Sequence, residues 1–211
     1  MKAVIKIGGS LQGSPSLEAI CETIGKVSGR HDLTIVPGGG VFADQVREFQ
    51  KSHNLSDYTA HLMAIEAMES YGVGLSELIP NFSLSDNLET AKRGKVIFLP
   101  SKSVEQNCEL ESSWKVTSDS LAAWTCGKIG FDKLILVKRV DGIGKNNKRF
   151  LTDLSRQELK NMNQSVVDSK LPEVLERYGI TCWVLNGENP ERIEELLKTG
   201  RTTGTKISGG E

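Results

Sequence analysis

The sequence lacks the features that define several large classes of protein. Its 211 residues contain no apolar run near the roughly 20 residues that a membrane-spanning helix needs. The chain opens on a strand-like segment, without the basic and apolar regions of a secretory signal. The formal net charge of −1 gives no electrostatic support for binding to nucleic acid or to a membrane surface. We therefore expect a cytoplasmic protein with no nucleic-acid or membrane partner.

Metal and redox motifs are missing as well. No C-x-x-C spacing joins the four cysteines, which we expect to be free buried thiols: Cys21, Cys108, Cys126 and Cys182. The three histidines do not cluster at metal-ligand spacing, so the sequence assigns no metal ligand and gives the histidines no role: His31, His53 and His61.

Short apolar runs that alternate with helical patterns dominate the chain. The runs "KAVIKI", "DLTIVP", "KVIFLP", "DKLILVK" and "ITCWVL" are typical of buried parallel strands. Strand–helix alternation predicts an α/β fold, a three-layer αβα sandwich with a mainly parallel sheet, in a single domain over residues 1–211. A boundary near residue 130 would separate two lobes of one continuous sheet. Ligands of such sheets bind at the carboxyl ends of the strands.

Two glycine clusters follow predicted strands directly, "KIGGS" at residues 6–10 and "VPGGGVFAD" at residues 36–44. Glycines between a strand and a helix aim backbone N–H groups at an anion, because no Cβ keeps the anion away. Either cluster alone could equally be a tight turn. Lys6 lies inside an apolar run, where a lysine without a partner is rare, so we expect its ammonium to bind the same anion. Neither the P-loop nor the G-x-G-x-x-G pattern is present, and two separate cradles suit a reaction between two anionic partners.

The ordered set "KIGGS", "VPGGG", "TSDSLAA", "VDGI" and "GTKI" resembles the amino acid kinase family over nearly the whole chain. That family includes acetylglutamate, aspartate, carbamate, uridylate and isopentenyl phosphate kinases. The resemblance implies an acceptor-binding lobe at about residues 1–130 and a nucleotide-binding lobe at about residues 131–211. It also implies ATP and Mg²⁺ as cofactors and a homo-oligomer, a dimer or larger.

Within the family, the short length and the pieces "GGGVFAD", "LPSK" and "SWKVTSDS" are most similar to a kinase of phosphomonoesters. The expected reaction phosphorylates the phosphate of a small furan-bearing phosphomonoester, which becomes a diphosphate. The alternatives are a uridylate or isopentenyl phosphate kinase, a carboxylate kinase, or a non-catalytic nucleotide- or oxyanion-binding module. The isopentenyl phosphate kinases of this family commonly have a histidine shortly after the triple glycine. This chain has the triple glycine but no histidine directly after it.

The resemblance implies roles for individual residues. Lys6 would lie between the nucleotide and acceptor phosphates, and Asp119 would orient catalytic lysines, although it also suits the first turn of a helix. The nucleotide phosphates would bind Gly8, Gly9 and Ser10, and the acceptor would bind Gly38, Gly39 and Gly40.

Four further residues are candidates for acceptor binding, each with a simpler explanation. Arg47 could bind the acceptor phosphate and Asp44 an aminomethyl cation, or the two could form a surface ion pair. Lys102 is a second candidate for the phosphate, or it too could be a surface charge. Trp114 could stack on a flat ring or pack in the core.

One departure from the family concerns the nucleotide site. Family members commonly have Thr-Asp-Val-x-Gly after the central strand, whereas here Lys138 and Arg139 replace Thr-Asp while Asp141 and Gly142 remain. The added charges would bind nucleotide phosphates or indicate a different or lost donor. Lys170 is the candidate for a second catalytic lysine, with a surface lysine as the alternative.

Overall fold

The computed structural model describes residues 1–107, 109–144 and 150–209. These residues form one eight-stranded sheet in the order β3-β4-β2-β1-β5-β7-β8-β6. Neighbouring strands are parallel except β7 and β8, which are antiparallel. The strands are β1 Lys2–Ile7, β2 Asp32–Pro37, β3 Ser83–Ser85, β4 Val96–Phe98, β5 Lys133–Lys138, β6 Asp153–Ser155, β7 Thr181–Asn186 and β8 Thr205–Ser208.

The helices connect the strands, and side chains cap the starts of four of those described. Ser56 caps α3 by accepting a hydrogen bond from Thr59 N, and Ser155 with Glu158 forms a capping box on α7. A short 3-10 helix, Gly9–Leu11, follows β1. The α-helices are α1 Leu17–Val27, α2 Gly40–His53, α3 Asp57–Leu78, α4 Leu88–Ala91, α5 Ser101–Asn107, α6 Ser118–Lys128, α7 Arg156–Asn161, α8 Leu171–Tyr178 and α9 Glu191–Thr199.

Alternation of side chains along the buried strands divides the core into two layers. On β1, Val4 packs with α6 and α8 on one face of the sheet, and Ile5 packs with α1 and α9 on the other. The long helix α3 contributes to both layers, through Ile65 to the first and Leu75 to the second. The predicted α/β fold with a mainly parallel sheet between two helical layers is therefore confirmed.

The sheet runs through the boundary predicted near residue 130. β5 follows that boundary and pairs directly with β1, with Lys6 beside Leu136. The division into an acceptor lobe and a nucleotide lobe stays a prediction. The sequence patterns missed the three-residue edge strands β3 and β6, because segments this short carry too few residues to show a period.

Three of the cysteines are free and buried, Cys21, Cys126 and Cys182, and Cys108 lies outside the described residues. Within the part of the chain that the structure describes, no helix is long and apolar enough to cross a bilayer.

Candidate active site

The two glycine clusters lie in direct contact at the carboxyl ends of β1 and β2. A Cβ added to Gly9 would lie 2.1 Å from Gly40 N, and one added to Gly38 would lie 2.4 Å from Gly9 N. Real Cβ atoms do not approach backbone atoms this closely, so the backbones meet only because both positions are glycine. Gly40 also has a φ of 55°, which glycine adopts without strain. The two predicted anion cradles therefore form one continuous backbone surface.

Gln12 fastens the two clusters together. Its side-chain Oε1 accepts a hydrogen bond from Val41 N at 2.8 Å, and its Nε2 donates to Gly39 O at 3.2 Å. Both partners belong to the start of α2, whereas Gln12 directly follows the 3-10 helix after β1. No motif predicts a role for this residue, because one glutamine after a glycine cluster has no distinctive spacing.

A buried carboxylate lies between two lysines beside the glycines. Asp119, in the first turn of α6, accepts a hydrogen bond from Lys6 Nζ on Oδ1 at 2.9 Å. Its Oδ2 accepts one from Lys138 Nζ at 2.6 Å. Lys6 and Asp119 are only 4% and 2% exposed. The structure thus brings together Lys6 and Asp119, predicted as catalytic, with Lys138, predicted as nucleotide-binding.

Charge–charge attraction decides the protonation of this cluster. Burial alone would raise the pKa of Asp119, but the charges of Lys6 and Lys138 and their hydrogen bonds lower it to about 2. Burial lowers the pKa of Lys6, and the attraction of Asp119 opposes that shift. Asp119 is consequently ionised at neutral pH and offers each lysine one oxygen.

Asp168 holds the start of α6 in place. Its carboxylate accepts two hydrogen bonds from Thr117, two from Ser120 and two from backbone N–H groups at the start of α8. Burial and the charge of Asp119 raise the pKa of Asp168, while the hydrogen bonds from Ser120 and Thr117 act in the opposite direction. Asp168 therefore ties α6, which carries Asp119, to α8. No motif in the sequence pointed to this residue.

A cavity of about 530 Å³ opens in front of Lys6 and the glycines. This volume lies within the range of small-molecule sites. Its lining includes glycines and polar side chains: Lys6, Gly8, Gly9, Ser10, Gly39, Gly40, Lys138 and Arg139. It also includes apolar side chains: Ala64, Ile65, Met68, Val116 and Leu121. The cavity therefore suits a ligand with both an anionic group and an apolar or aromatic body.

Arg47 and Asp44, both on α2, line this cavity and contact each other. Arg47 NH1 lies 2.5 Å from Asp44 Oδ1, and the guanidinium lies 4.2 Å from the centre of the Trp114 ring. Trp114 Nε1 in turn donates to Gln50 Oε1 at 2.6 Å. One face of Trp114 therefore supports Arg47, in a cation–π contact that fixes the guanidinium over the cavity.

His61 is a buried polar side chain for which the sequence predicts no role. It lies on α3, is 7% exposed and lines the cavity. Burial lowers its pKa, so the ring is neutral at pH 7 and can donate one hydrogen bond and accept another. A histidine on a buried helix face resembles a core residue in sequence, and only the fold shows that this face borders a cavity.

The other residues predicted for the nucleotide site lie where β5 and β7 end. Arg139 pairs with Glu188 at 3.2 Å, and Asp141 accepts from Arg192 at 2.6 Å and from Asn186 at 3.2 Å. Gly142 lies against the C-terminal strand, since a Cβ there would be 2.4 Å from Thr205 Oγ1. These contacts leave the nucleotide-binding roles of Arg139, Asp141 and Gly142 as predictions.

Two predicted lysines lie in surface ion pairs. Lys102 pairs with Asp86 at 3.1 Å and does not line the cavity described above. Lys170 pairs with Glu173 at 3.3 Å and with Glu111 at 3.9 Å. Among the residues that the structure describes, neither lysine contacts Asp119, so the acceptor-binding role of Lys102 and the catalytic role of Lys170 stay predictions.

The donor set fits nucleotide phosphates better than a protein-held metal. Clear backbone space at the glycines and a buried ammonium suit phosphate oxygens. Within residues 1–107, 109–144 and 150–209, no group of three or more His, Cys, Asp or Glu side chains could hold a metal ion. Magnesium ions usually take substrate phosphates and water as most of their ligands, which agrees with this arrangement.

Comparison with known proteins identifies the class of enzyme. The model of the amino acid kinase family matches residues 1–87 and 84–186. The chain is a phosphotransferase, a kinase. It belongs to the amino acid kinase family.

Individual relatives align over the full chain. The [5-(aminomethyl)furan-3-yl]methyl phosphate kinase of Methanocaldococcus jannaschii is 31% identical, over 98% of this chain and 97% of that protein. A uridylate kinase of Methanospirillum hungatei is 25% identical, over 97% and 94% of the two chains. The crystal structure of uridylate kinase from Archaeoglobus fulgidus superposes with a TM-score of 0.79 at 23% identity, over 99% of this chain and 100% of that one. The last comparison establishes a shared fold.

Proposed function

We propose that the protein transfers the γ-phosphoryl group of ATP to the phosphate of a small phosphomonoester. The preferred acceptor is [5-(aminomethyl)furan-3-yl]methyl phosphate, which becomes a diphosphate in methanofuran-type cofactor biosynthesis. The observation that carries the proposal is the buried ammonium of Lys6 beside two touching glycine clusters. The relative at 31% identity, which is named for this substrate, supports the choice of acceptor.

The buried lysine has hydrogen-bonding capacity left for phosphate. Within the described residues, Lys6 Nζ makes one hydrogen bond, to Asp119, although an ammonium has three N–H groups. A buried donor without a partner costs free energy, so an anion in the cavity would stabilise this arrangement. Its place beside both glycine clusters suits a phosphoryl group that passes from one cluster to the other.

Phosphoryl transfer between two anions needs positive charge more than it needs covalent chemistry. An acceptor phosphate oxygen attacks the γ-phosphorus, the bond from that phosphorus to the bridging β–γ oxygen breaks, and ADP leaves. Each pair of unit charges about 4 Å apart costs roughly 4 kcal/mol at an effective dielectric constant near 20. Lys6 and the glycine N–H groups would offset part of this repulsion, and Mg²⁺ would supply further charge on the phosphates.

The apolar part of the cavity lining suits the furan ring. Ala64, Ile65 and Met68 offer apolar contact, and His61 offers one donor and one acceptor. At the mouth, Asp44 could bind the aminomethyl cation and Arg47 the acceptor phosphate. The acceptor ring is predicted to stack on Trp114. It would do so on the part of the indole ring that Arg47 does not cover. Assembly into a homo-oligomer belongs to the same proposal and rests on the family resemblance, whereas a cytoplasmic location rests on the composition of the sequence.

An acceptor panel tests the function directly. The purified protein is incubated with ATP and Mg²⁺ and one acceptor at a time: the aminomethylfuran methyl phosphate, uridylate, isopentenyl phosphate or acetylglutamate. Mass spectrometry then reads the product. We expect a diphosphate from the furan phosphate at a kcat/KM at least tenfold above any other acceptor.

Each other outcome contradicts a stated part of the proposal. Preferred turnover of uridylate or isopentenyl phosphate would keep a phosphate kinase and reject the furan acceptor. Phosphorylation of acetylglutamate alone would reject phosphate as the acceptor group. Tight ATP binding with no transfer to any of the four would favour a nucleotide-binding module.

A further inference from the structure

Two lysines share the carboxylate of Asp119, and strand register explains how. Lys6 on β1 lies beside Leu136 on the neighbouring parallel strand β5. Side chains two residues apart on a strand point to the same face of the sheet, so Lys138 points to the face that Lys6 occupies. That face is covered by α6, whose first turn carries Asp119. Because β1 and β5 are adjacent, the ammonium groups of Lys6 and Lys138 both reach the buried carboxylate of Asp119.

Lys138 lies between two cavities. It lines the cavity that contains Lys6, Arg47 and His61, and also a second cavity of about 580 Å³ bounded by residues 113–117 and 165–169. Asp119 borders the second cavity as well. A positive group at this junction is in reach of ligands that enter from either side.

The ammonium of Lys138 is held from two directions. Nζ donates to Asp119 Oδ2 at 2.6 Å and to Val166 O at 2.6 Å. Among the described residues these are its two hydrogen bonds, so one N–H remains for a ligand. The side chain is 15% exposed, which leaves a path to it from solvent. A lysine fixed in this way is positioned before a substrate binds, as effective charge stabilisation requires.

Lys170 has different surroundings. Its ammonium contacts Glu173 and Glu111 on the surface, and its side chain is 30% exposed. Its backbone N–H, and not its ammonium, reaches the buried cluster, through Asp168 Oδ1 at 3.1 Å. Two surface carboxylates already neutralise this lysine.

We propose that Lys138, and not Lys170, is the second lysine that binds the transferred phosphoryl group, together with Lys6. The inference rests on the proposed phosphoryl transfer and names a residue for it. Lys6 approaches the phosphoryl group from the end of β1 and Lys138 from the end of β5, and Asp119 holds the two apart and neutralises one of their charges. The lysine that stands where the family commonly has threonine is then part of the catalytic site.

Three charge-removing variants test this assignment: Lys138→Met, Lys170→Met and Lys133→Met. Lys133 is the matched control, because it lies at the other end of β5 in a surface pair with Asp132. With saturating substrates, we expect kcat to fall about 10²- to 10³-fold in K138M, as it does when one transition-state donor is lost. We expect less than a threefold change in K133M. A K138R variant, which keeps the charge, should recover part of the loss.

A binding measurement separates catalysis from structure and does not need turnover. Calorimetry compares ADP with a non-hydrolysable ATP analogue that carries a γ-phosphoryl group. K138M should weaken the analogue at least tenfold and ADP less than threefold, with a melting temperature close to that of wild type. Equal weakening of both nucleotides with a lower melting temperature would overturn the proposal in favour of a structural tie to Val166.

The remaining outcomes are also decisive. A K170M variant that loses kcat while K138M keeps it would overturn the assignment in favour of Lys170. If the wild type transfers phosphate to no acceptor, the proposed function fails, and the analogue-to-ADP comparison alone still decides whether Lys138 binds the γ-phosphoryl group. A wild type that binds neither nucleotide would overturn both proposals.

Discussion

The two halves of the sheet end in different ways at the same edge. β1 and β2 are followed by glycines, whose backbones touch so closely that a Cβ at Gly9 would lie 2.1 Å from Gly40 N. β5 and β7 end in polar side chains: Lys138 donates to Asp119, and Asn186, together with Arg192 of α9, donates to Asp141. The first half offers an anion its backbone N–H groups, and the second offers side-chain charges. Phosphoryl transfer needs both, since backbone donors align the phosphates and charges offset their repulsion.

The difference between the halves also predicts how each responds to change. A backbone cradle depends on the absence of side chains, so adding one methyl group should damage it. A buried charge cluster depends on a partner for each charge, so removing the shared carboxylate should damage it more, because the lysines are then left without that partner. The following substitutions test this comparison.

The largest expected effect is on the charged half, from Asp119→Asn. This change leaves Lys6, which is 4% exposed, without its carboxylate. Removing one partner of a buried ion pair costs about 3–5 kcal/mol, so the free energy of unfolding in urea should fall by that amount. Asp132→Asn is the control, because it removes a carboxylate from an exposed pair on the surface. If Asp119→Asn lowers the free energy of unfolding by less than 1 kcal/mol, the charged cluster is hydrated and not buried.

The same substitution should change the acid stability. The folded-state pKa of Asp119 is about 2, below the usual 3.8, so the unfolded state binds more protons between these values. Stability from this group is present above pH 4 and is lost as the pH falls toward 2, by about 2 kcal/mol in total. The Asn variant should lack this loss in urea titrations at pH 4, 3 and 2. Parallel pH curves for variant and wild type would contradict the assigned pKa.

A smaller effect is expected on the backbone half, from Gly9→Ala. The added methyl group must push the two glycine clusters apart, and overpacking of this kind costs about 1–3 kcal/mol. Because the displaced N–H groups face both substrates, the KM for ATP and the KM for the acceptor should rise together, by about tenfold or more. Gly29→Ala is the matched control, since its Cβ would meet nothing within 4 Å. If only one KM rises, the two clusters act independently and the continuous cradle is wrong.

The close contact of the two glycine clusters could be predicted from the sequence for the same reason that an added methyl group should disrupt it. Where two backbone segments approach this closely, only glycine fits, so the glycines themselves indicate the approach. The strands and the three-layer sandwich followed from the apolar pattern in the same direct way. Lys6 was predicted because it interrupts an apolar strand, and Asp119 because its motif resembles that of the family; their contact agrees with these predictions, and their catalytic roles stay predictions.

The charged half was harder to predict, because a long side chain can reach in several directions. Lys138 and Lys170 have the same chemistry, and only strand register places the first on Asp119 while the second lies beside Glu173. Gln12, His61 and Asp168 were missed for a similar reason. Gln12 and Asp168 bind residues that are distant along the chain, and His61 borders a cavity that only the fold creates, so one sequence contains no record of either.

The smallest expected effect is at the rim of the cavity, from Arg47→Ala. Arg47 is held by Asp44 and by the face of Trp114, and its side chain is 46% exposed. If it binds the acceptor phosphate, its loss should raise the acceptor KM about tenfold, roughly 1.4 kcal/mol, and leave the ATP KM within twofold. Steady-state kinetics with the acceptor identified by the panel provide the measurement. Lys51→Ala, which removes an exposed cation from the same helix, is the control.

An unchanged acceptor KM would make the contact of Arg47 with Asp44 an ordinary surface ion pair, whose contribution to stability is about 0–1 kcal/mol. Selectivity for the acceptor would then depend on the buried end of the cavity, at His61 and Met68, and no longer on charge at its mouth.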